Sequence, residues 1–479
     1  MKKHVLNISV ALLSILLVSC NKWLEVQPQD RISEETLFST PSGFRTALNG
    51  IYQQLAQAKL YGRELTWGML SSMSQDYNTS KVTLEYKAAT NSDFKDPNTL
   101  TPITNIWSNA YTAIANCNKL LNELDKKDEK FFLAGKSERD LIKGEAIAIR
   151  ALLHLDMVRI FCVSPAKNNQ DVVVPYQDTY PAHTATAMPT TEIMKKITAD
   201  LKKAQELVAT NDTINNIGSL SNGLSTLISG GGGSGGIFFG FRMNRLNYVA
   251  IHGLLARAYL YIGDMPNAKA EAEYVYKQFG PAGKKWWTFT PEYLTNTSSR
   301  YPKMANDIIL AFYDPALIKN ITSYTNASYN FQLNDVTSVF PGTERDYRRN
   351  LVSPDNTSYK WLEATMQAEL VPQQNTIMPV LRMSEIYLIY SECLFREGNS
   401  TDALKILNAL RNARGKSSSF TDNSDSGFYS ELLMEYRREF LAEGQTIFAH
   451  KRLNKAMQIG TKRVEVDGRF TPPLPEGEY

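Results

Sequence analysis

Two stretches of the chain carry the same helix-turn-helix signature, and it constrains the fold more than any other feature. In LLARAYLYIGDMPNAKAEAEYVY the small residues Ala256, Gly263 and Ala268 fall seven and five apart, and in IYSECLFREGNSTDALKILNALRNAR Ser391, Gly398 and Ala403 keep that spacing. Small side chains at these places let two antiparallel helices approach closely, and the glycine gives the backbone freedom to turn between them. This is the logic of tetratricopeptide units. A solenoid of such units repeats every ~34 residues. These two lie far apart, so the pattern predicts dispersed helix pairs separated by long insertions rather than a plain stacked array.

Most other segments also read as helices. TPSGFRTALNGIYQQLAQA opens with Thr40 as cap and Pro41 at the first helical position, then places Phe44, Ala47, Leu48, Ile51 and Leu55 at helical spacing. NIWSNAYTAIANCNKLLNELDK repeats the pattern through Ile106, Ala110, Ile114, Cys117, Leu121 and Leu124. In SERDLIKGEAIAIRALLHLDMVRIFC, Ser137 and Asp140 form a capping-box pattern at the predicted helix start. TEIMKKITADLKKAQELV is amphipathic, with Lys195, Lys196, Lys202 and Lys203 on a solvated face. Two insertions break the helical rhythm, at about 211–243 and 281–375. The first holds LISGGGGSGGIFFGF without the Gly-Lys-Ser/Thr that a phosphate loop needs, so a flexible loop is expected. The second is rich in Pro, Asn, Thr, Ser and Tyr. It reads as irregular loops on a helical scaffold, where binding sites concentrate. The expected fold is mainly α.

The N-terminus raises a separate question. Lys2 and Lys3 precede the apolar run Val10 to Val18, which is shorter than the about 20 residues that span a bilayer and has the proportions of a signal-peptide core. It ends at Leu17-Val18-Ser19-Cys20, which resembles the bacterial lipobox. The expectation is a signal peptide over 1–19, an acylated Cys20 carrying palmitate-type chains, a tether and extended segment over 20–40, and a single helical domain over 41–479.

Composition and motif spacing exclude several function classes. The formal net charge is only +3, and no basic helix or zinc-knuckle spacing occurs, so nucleic acid is not an expected partner. Hydrophobic residues make up 43% of the chain, enough for a substantial core. Cys117, Cys162 and Cys393 form no CxxC pair and read as buried thiols, with one disulfide left open. His154, His183, His252 and His450 lack metal-ligand spacing, and no Gly-x-Ser-x-Gly elbow occurs. No motif calls for a cofactor, a metal or a catalytic residue. A glycosidase that uses two carboxylates leaves no sequence signature, so it stays open as an alternative. So does a scaffold that grips another protein.

Four motifs in order then carry a resemblance. WLEVQPQDRISEETLFSTPSGFRTALNGIYQQL follows Cys20. GEAIAIRALLHLDMVRIFC has the form G-E-A-x-x-x-R-A-x-x-x-x-D-x-V-R. RMSEIYLIYSE precedes ALKILNALRNARG, and EYRREFLAEGQ has the form E-x-R-x-E-F-x-x-E-G. Together these resemble the SusD/RagB nutrient-uptake outer-membrane lipoproteins of the Bacteroidetes, over essentially the whole chain. Thr446 and Ala449 depart from the usual pattern, which has arginine and aspartate there. The resemblance implies a SusD-like helical fold and a lipid-anchored, surface-exposed protein of the outer membrane. It also implies capture of an oligosaccharide, or a peptide in the RagB branch, and delivery to a SusC-like TonB-dependent transporter. Arg382, Glu385, Glu392, Glu439 and Glu443 of the matching motifs lie at helical spacing among apolar residues and read as structural pairs.

A glycan site should mix flat rings with amides and carboxylates. Two loop regions do so. SQDYNTSKVTLEY offers Asp76, Tyr77, Asn78 and Tyr86. KKWWTFTPEY offers Trp286 and Trp287, followed by Tyr324 and Tyr329. Adjacent tryptophans also pin loops to cores, and one of the pair is expected to do that.

Overall fold

The structure is a computed structural model that describes residues 33–168, 170–183, 186–220, 230, 236–277, 287–296, 301–362, 371–466 and 470–475. The expected signal peptide, Cys20 and Trp286 lie outside the described residues.

In chain order the elements begin with α1 (Glu34–Leu37), α2 (Pro41–Ala56), α3 (Met69–Met73), α4 (Leu84–Thr90), α5 (Pro97–Asp125) and α6 (Gly135–Phe161). The short hairpin of β1 (Val172–Pro175) and β2 (Ala187–Pro189) leads to α7 (Thr190–Thr210), α8 (Tyr248–Ile262) and α9 (Met265–Lys277). Then come β3 (Ile308–Tyr313), α10 (Leu317–Tyr324), α11 (Val336–Val339), α12 (Val371–Thr376) and β4 (Ile377–Arg382). The chain closes with α13 (Met383–Arg396), α14 (Ser400–Ala413), α15 (Asp425–Phe440), α16 (Thr446–Leu453), β5 (Met457–Ile459) and β6 (Lys462–Val464).

The small-residue signatures do what their spacing requires. Gly263 and Gly398 end α8 and α13 with φ of +82° and +84°, a left-handed conformation that glycine adopts without strain. Ala256, Ala268, Ser391 and Ala403 are buried where the paired helices meet, and the Ser391 hydroxyl donates to the Ala403 carbonyl at 2.8 Å. The two pairs are not held apart by their long insertion, however. α9 packs directly on α13, and the row runs α5, α6, α7, α8, α9, α13, α14. The insertion between α9 and α13 leaves the row and returns to it, so units remote in sequence still bury one another's apolar faces.

Within that insertion the sequence predicts irregular loops, and the structure corrects this in part. IILAFY forms β3, paired antiparallel with β4 from Ile308 opposite Arg382 to Tyr313 opposite Ile377. All but the last residue of β3 are buried, so the run carries no polar alternation to announce a strand. Helix starts were legible in one case and not in another. Thr40 caps α2 by accepting from the Gly43 amide at 3.2 Å, with Pro41 in the first turn. α6 begins before Ser137, and its cap is the Glu138 carboxylate, which accepts from the Ala134 amide at 2.9 Å.

Cys117, Cys162 and Cys393 are free and buried. Burial pushes the Cys117 thiol up to about 12, so it packs as a small apolar group. No helix among the described residues is long and apolar enough to cross a membrane.

Candidate functional site

Two of the loop regions singled out in the sequence meet. The segment after α3 runs beside the segment before α11. Asn78 donates its amide to Gln332 O at 2.8 Å, Phe331 donates to Lys81 O at 3.0 Å, and Asn334 donates to Asp76 O at 2.7 Å. An isolated antiparallel bridge joins Tyr77 to Leu333. This pairing gathers rings from three parts of the chain. Trp67 lies edge-on to Phe331 at 5.1 Å between centroids and 6.4 Å from Trp361, and Tyr77 lies edge-on to Phe331 at 5.2 Å.

Beside these rings opens a cavity of about 420 Å³. Its apolar wall is Trp67, Tyr77, Phe331, Trp361 and Leu362. Asn326, Asn330, Ser353, Asp355 and Thr357 supply the polar side, with Tyr359 at the rim. The volume lies in the ~300–1,000 Å³ range of small-ligand sites. Asp355 accepts hydrogen bonds from the Ser353 and Thr357 hydroxyls, and the Ser353 bond above all holds its carboxyl below the usual range. It is therefore an ionised acceptor. The side-chain carbonyl of Asn330, on the polar side of the lining, is buried with no hydrogen-bond partner among the described residues.

The residues picked from the sequence mostly stand behind this lining. Asp76 is buried, and its Oδ2 accepts from the Ala442 amide at 3.0 Å. Burial raises its carboxyl to about 7, although Arg437 and the Ala442 N–H pull the other way. Tyr77 presents ring surface to the cavity, but its hydroxyl is spent on Trp67 O at 2.7 Å. Tyr86 is buried, donating to Glu64 at 2.9 Å. Asn78 caps a short turn by accepting from Ser80 N at 3.0 Å. Tyr324 is half-buried with the Arg63 guanidinium 4.1 Å over its ring, and Tyr329 closes a turn with Asn326. Trp287 lies away from the cavity, buried, with its indole N–H donating to Ile308 O at 2.6 Å. It serves the core. Asp76, Tyr86 and Trp287 stand behind the lining: all three are buried, the Tyr86 hydroxyl and the Trp287 indole are held by internal partners, and Asp76 Oδ1 has no hydrogen-bond partner among the described residues.

Sequence reasoning missed Trp67, Asn330, Asp355, Tyr359 and Trp361. Trp361 is placed by a bond from its indole to Ala442 O at 2.7 Å, and Ala442 sits in the left-handed region at φ +61°. Nothing in the local sequence separates Trp361 from Trp287; only the tertiary partner does.

The charged motif residues form buried pairs. Arg257 grips Glu385 in two bonds of 2.7 Å, and Arg452 binds Glu392 at 2.7 Å through its first bond. Glu439 receives Arg348 and Arg414 at 2.7 Å each, and Glu443 holds Arg382 together with Lys360 at 2.6 Å. Among the described residues no group of three or more His, Cys, Asp or Glu is arranged to hold a metal ion.

The described residues thus form a row of helix pairs that carries a loop-built cavity walled by rings and amides. The chain belongs to the SusD/RagB family. A family profile described as starch-binding, associating with outer membrane, matches residues 22–217, and the SusD family profile matches 283–466. Solved structures agree on the fold. A SusD superfamily protein from Bacteroides thetaiotaomicron is 17% identical with a TM-score of 0.67, over 92% of this chain and 97% of that one. A putative sugar binding protein from Bacteroides vulgatus is 21% identical with a TM-score of 0.65, over 92% and 96%. A SusD-like carbohydrate binding protein from the same species is 19% identical with a TM-score of 0.63, over 87% and 84%. No curated protein matches the sequence.

Proposed function

We propose that the chain captures an oligosaccharide at the outer-membrane surface and hands it to a SusC-like TonB-dependent transporter. The observation that carries this reading is the cavity whose lining joins the rings of Trp67, Phe331 and Trp361 to Asn326, Asn330 and Asp355. Sugars offer C–H faces to rings and hydroxyls to amides and carboxylates, and this lining supplies both. Relatives named as carbohydrate- and sugar-binding support the same reading. Hydrolysis at this cavity is disfavoured. Asp355 is the sole carboxylate among its described lining residues, and it is held ionised, whereas glycosidases use two carboxyl groups with one kept protonated.

Calorimetry of the purified full chain against oligosaccharide and peptide panels tests the reading. Oligosaccharide binding weakened about tenfold or more by Asn326→Ala or Tyr359→Ala, with thermal stability unchanged, is the expected result. Binding of peptides alone would move the chain to the RagB-type function. Anchoring is tested separately: Cys20→Ala is expected to lose lipid labelling and to leave the membrane fraction. Stable attachment needs more than one acyl chain, so a variant without the cysteine has no comparable hold.

A further inference from the structure

A second cavity, of about 680 Å³, lies between the first turns of α2, the segment from Ile237 to Arg245, and the ends of β3 and β4. Its lining contains two arginines, Arg45 and Arg245, and no carboxylate among the described residues. Each arginine is fixed from behind. Arg45 donates through Nε to Glu138 at 2.6 Å, and Arg245 donates through Nε to Glu145 at 2.9 Å. Both glutamates lie on α6 and are fully buried. The two guanidinium groups approach the same ring, with Cζ 4.7 Å and 5.0 Å from the Phe238 centroid.

This anchoring leaves donors unused. Arg245 spends Nη1 on Asn49 Oδ1 at 2.9 Å, and its Nη2 is buried with no hydrogen-bond partner among the described residues, so this arginine lends charge to the wall rather than a free donor. Arg45 makes its one side-chain hydrogen bond among the described residues through Nε, so its two Nη atoms keep the planar fork that matches a carboxylate. Apolar surface stands beside them: Tyr313 is 52% exposed and Ile237 82% exposed. Rings, side-chain amides and two pre-positioned guanidinium groups therefore face one space. Such a lining is unsuited to a purely apolar ligand, and the two guanidinium groups, though paired from behind with Glu138 and Glu145, are the only charged groups among its described lining residues.

We infer that this cavity is a second binding site, specific for a carboxylate-bearing saccharide such as a uronic-acid oligomer, with the Arg45 fork receiving the carboxylate, Arg245 adding charge beside it and Tyr313 offering a ring to the sugar. The inference extends the reading of the chain as an oligosaccharide-binding protein but uses none of the residues of the first cavity. Its ligand is defined by charge as well as by ring stacking.

The test is calorimetry of the full chain with trigalacturonate, its methyl ester, and the neutral galactotriose, repeated with triglucuronate and trimannuronate. Thr46→Glu places a carboxylate in the cavity from an exposed position in the second turn of α2, where glutamate is a better helix former than threonine, so folding is preserved. An acidic trisaccharide is expected to bind, with the ester about tenfold weaker and Thr46→Glu about tenfold weaker again. Arg45→Lys, which keeps the charge on Glu138 balanced but removes the fork, is expected to weaken the acid more than the ester. Asn326→Ala in the first cavity should leave acid binding unchanged, and Thr46→Glu should leave binding of neutral sugars there unchanged. Equal affinity for acid and ester, indifference to Thr46→Glu, or no binding of any of the three acidic oligomers would overturn the second site. Loss of neutral binding in the first-cavity variants reports on the first site alone.

Discussion

Asp76 shows what single-residue reading can and cannot do. In the sequence it is an acidic loop residue beside tyrosine and asparagine, a natural ligand contact. In the structure it is buried and accepts from Ala442, and its carboxyl rises from 3.8 to about 7. A carboxyl that holds its proton more tightly folded than unfolded makes stability fall as pH rises from about 4 through 7. Asp76→Asn keeps an oxygen to accept from Ala442 and removes the charge. The variant is expected to gain on the parent by a few kcal/mol between pH 4 and 8, read from urea midpoints at each pH. Parallel pH profiles for the two proteins would show that Arg437 compensates the charge fully. The region of the site was legible because polar and aromatic residues cluster in loops. The assignment of lining against backing was not, because burial is set by partners such as Ala442 and Ile308 that lie far away in the chain.

At the scale of elements, α6 packs closely on α7 through Gly144. A Cβ added at Gly144 would meet Val208 Cγ1 at 2.7 Å, Leu207 Cβ at 3.0 Å and the Ala204 carbonyl at 3.1 Å. Valine is stiff about χ1, and neither a Cβ nor a backbone oxygen can swing aside, so the helices must separate. Alanine gains about 1 kcal/mol of helix propensity over glycine, whereas overpacking costs about 1–3 kcal/mol. Gly144→Ala is therefore expected to be net destabilising by about 1–2 kcal/mol and to lower the melting temperature, with secondary structure content unchanged. A rise in melting temperature would mean that the interface can yield. Helices of this kind were legible because their apolar residues recur at a fixed period. β3 was not, since a strand buried on both faces has no alternation to read.

Across the whole molecule, one charge network ties remote segments together. Arg348 reaches Glu435 at 2.8 Å and Glu439 at 2.7 Å, Arg438 reaches Glu435 at 2.6 Å, and Arg414 joins Glu439 to Asp307. Burial alone would raise the Glu435 carboxyl, but Arg348 and Arg438 outweigh it and hold it down at about 2, against 4.5 ordinarily. A depressed carboxyl contributes stability that is present above the unfolded value and is lost as pH falls toward the folded one. Acid unfolding should therefore set in between about pH 4.5 and 2. Glu435→Gln, which leaves Arg348 and Arg438 short of a charge partner, is expected to cost about 3 kcal/mol or more at pH 7 and to flatten the acid limb. Thermal melts at several pH values would register both effects, and an unchanged acid limb would place the acid-sensitive groups elsewhere.

The bond from Ala442 to Asp76 has a consequence in time as well as in space. It joins residues 366 apart in sequence. A ribosome delivers the N-terminal end first, so α2 and α5 to α9 can fold against one another while the C-terminal segment is still unmade. The loop behind the cavity then has neither its strand partner at 331–334 nor the turn at Ala442 that anchors Trp361. Contacts of this span form late, since the chain between them must first be ordered. A nascent or truncated chain is thus a helical scaffold without a receptor, and competence to hold a ligand arrives only with the finished protein.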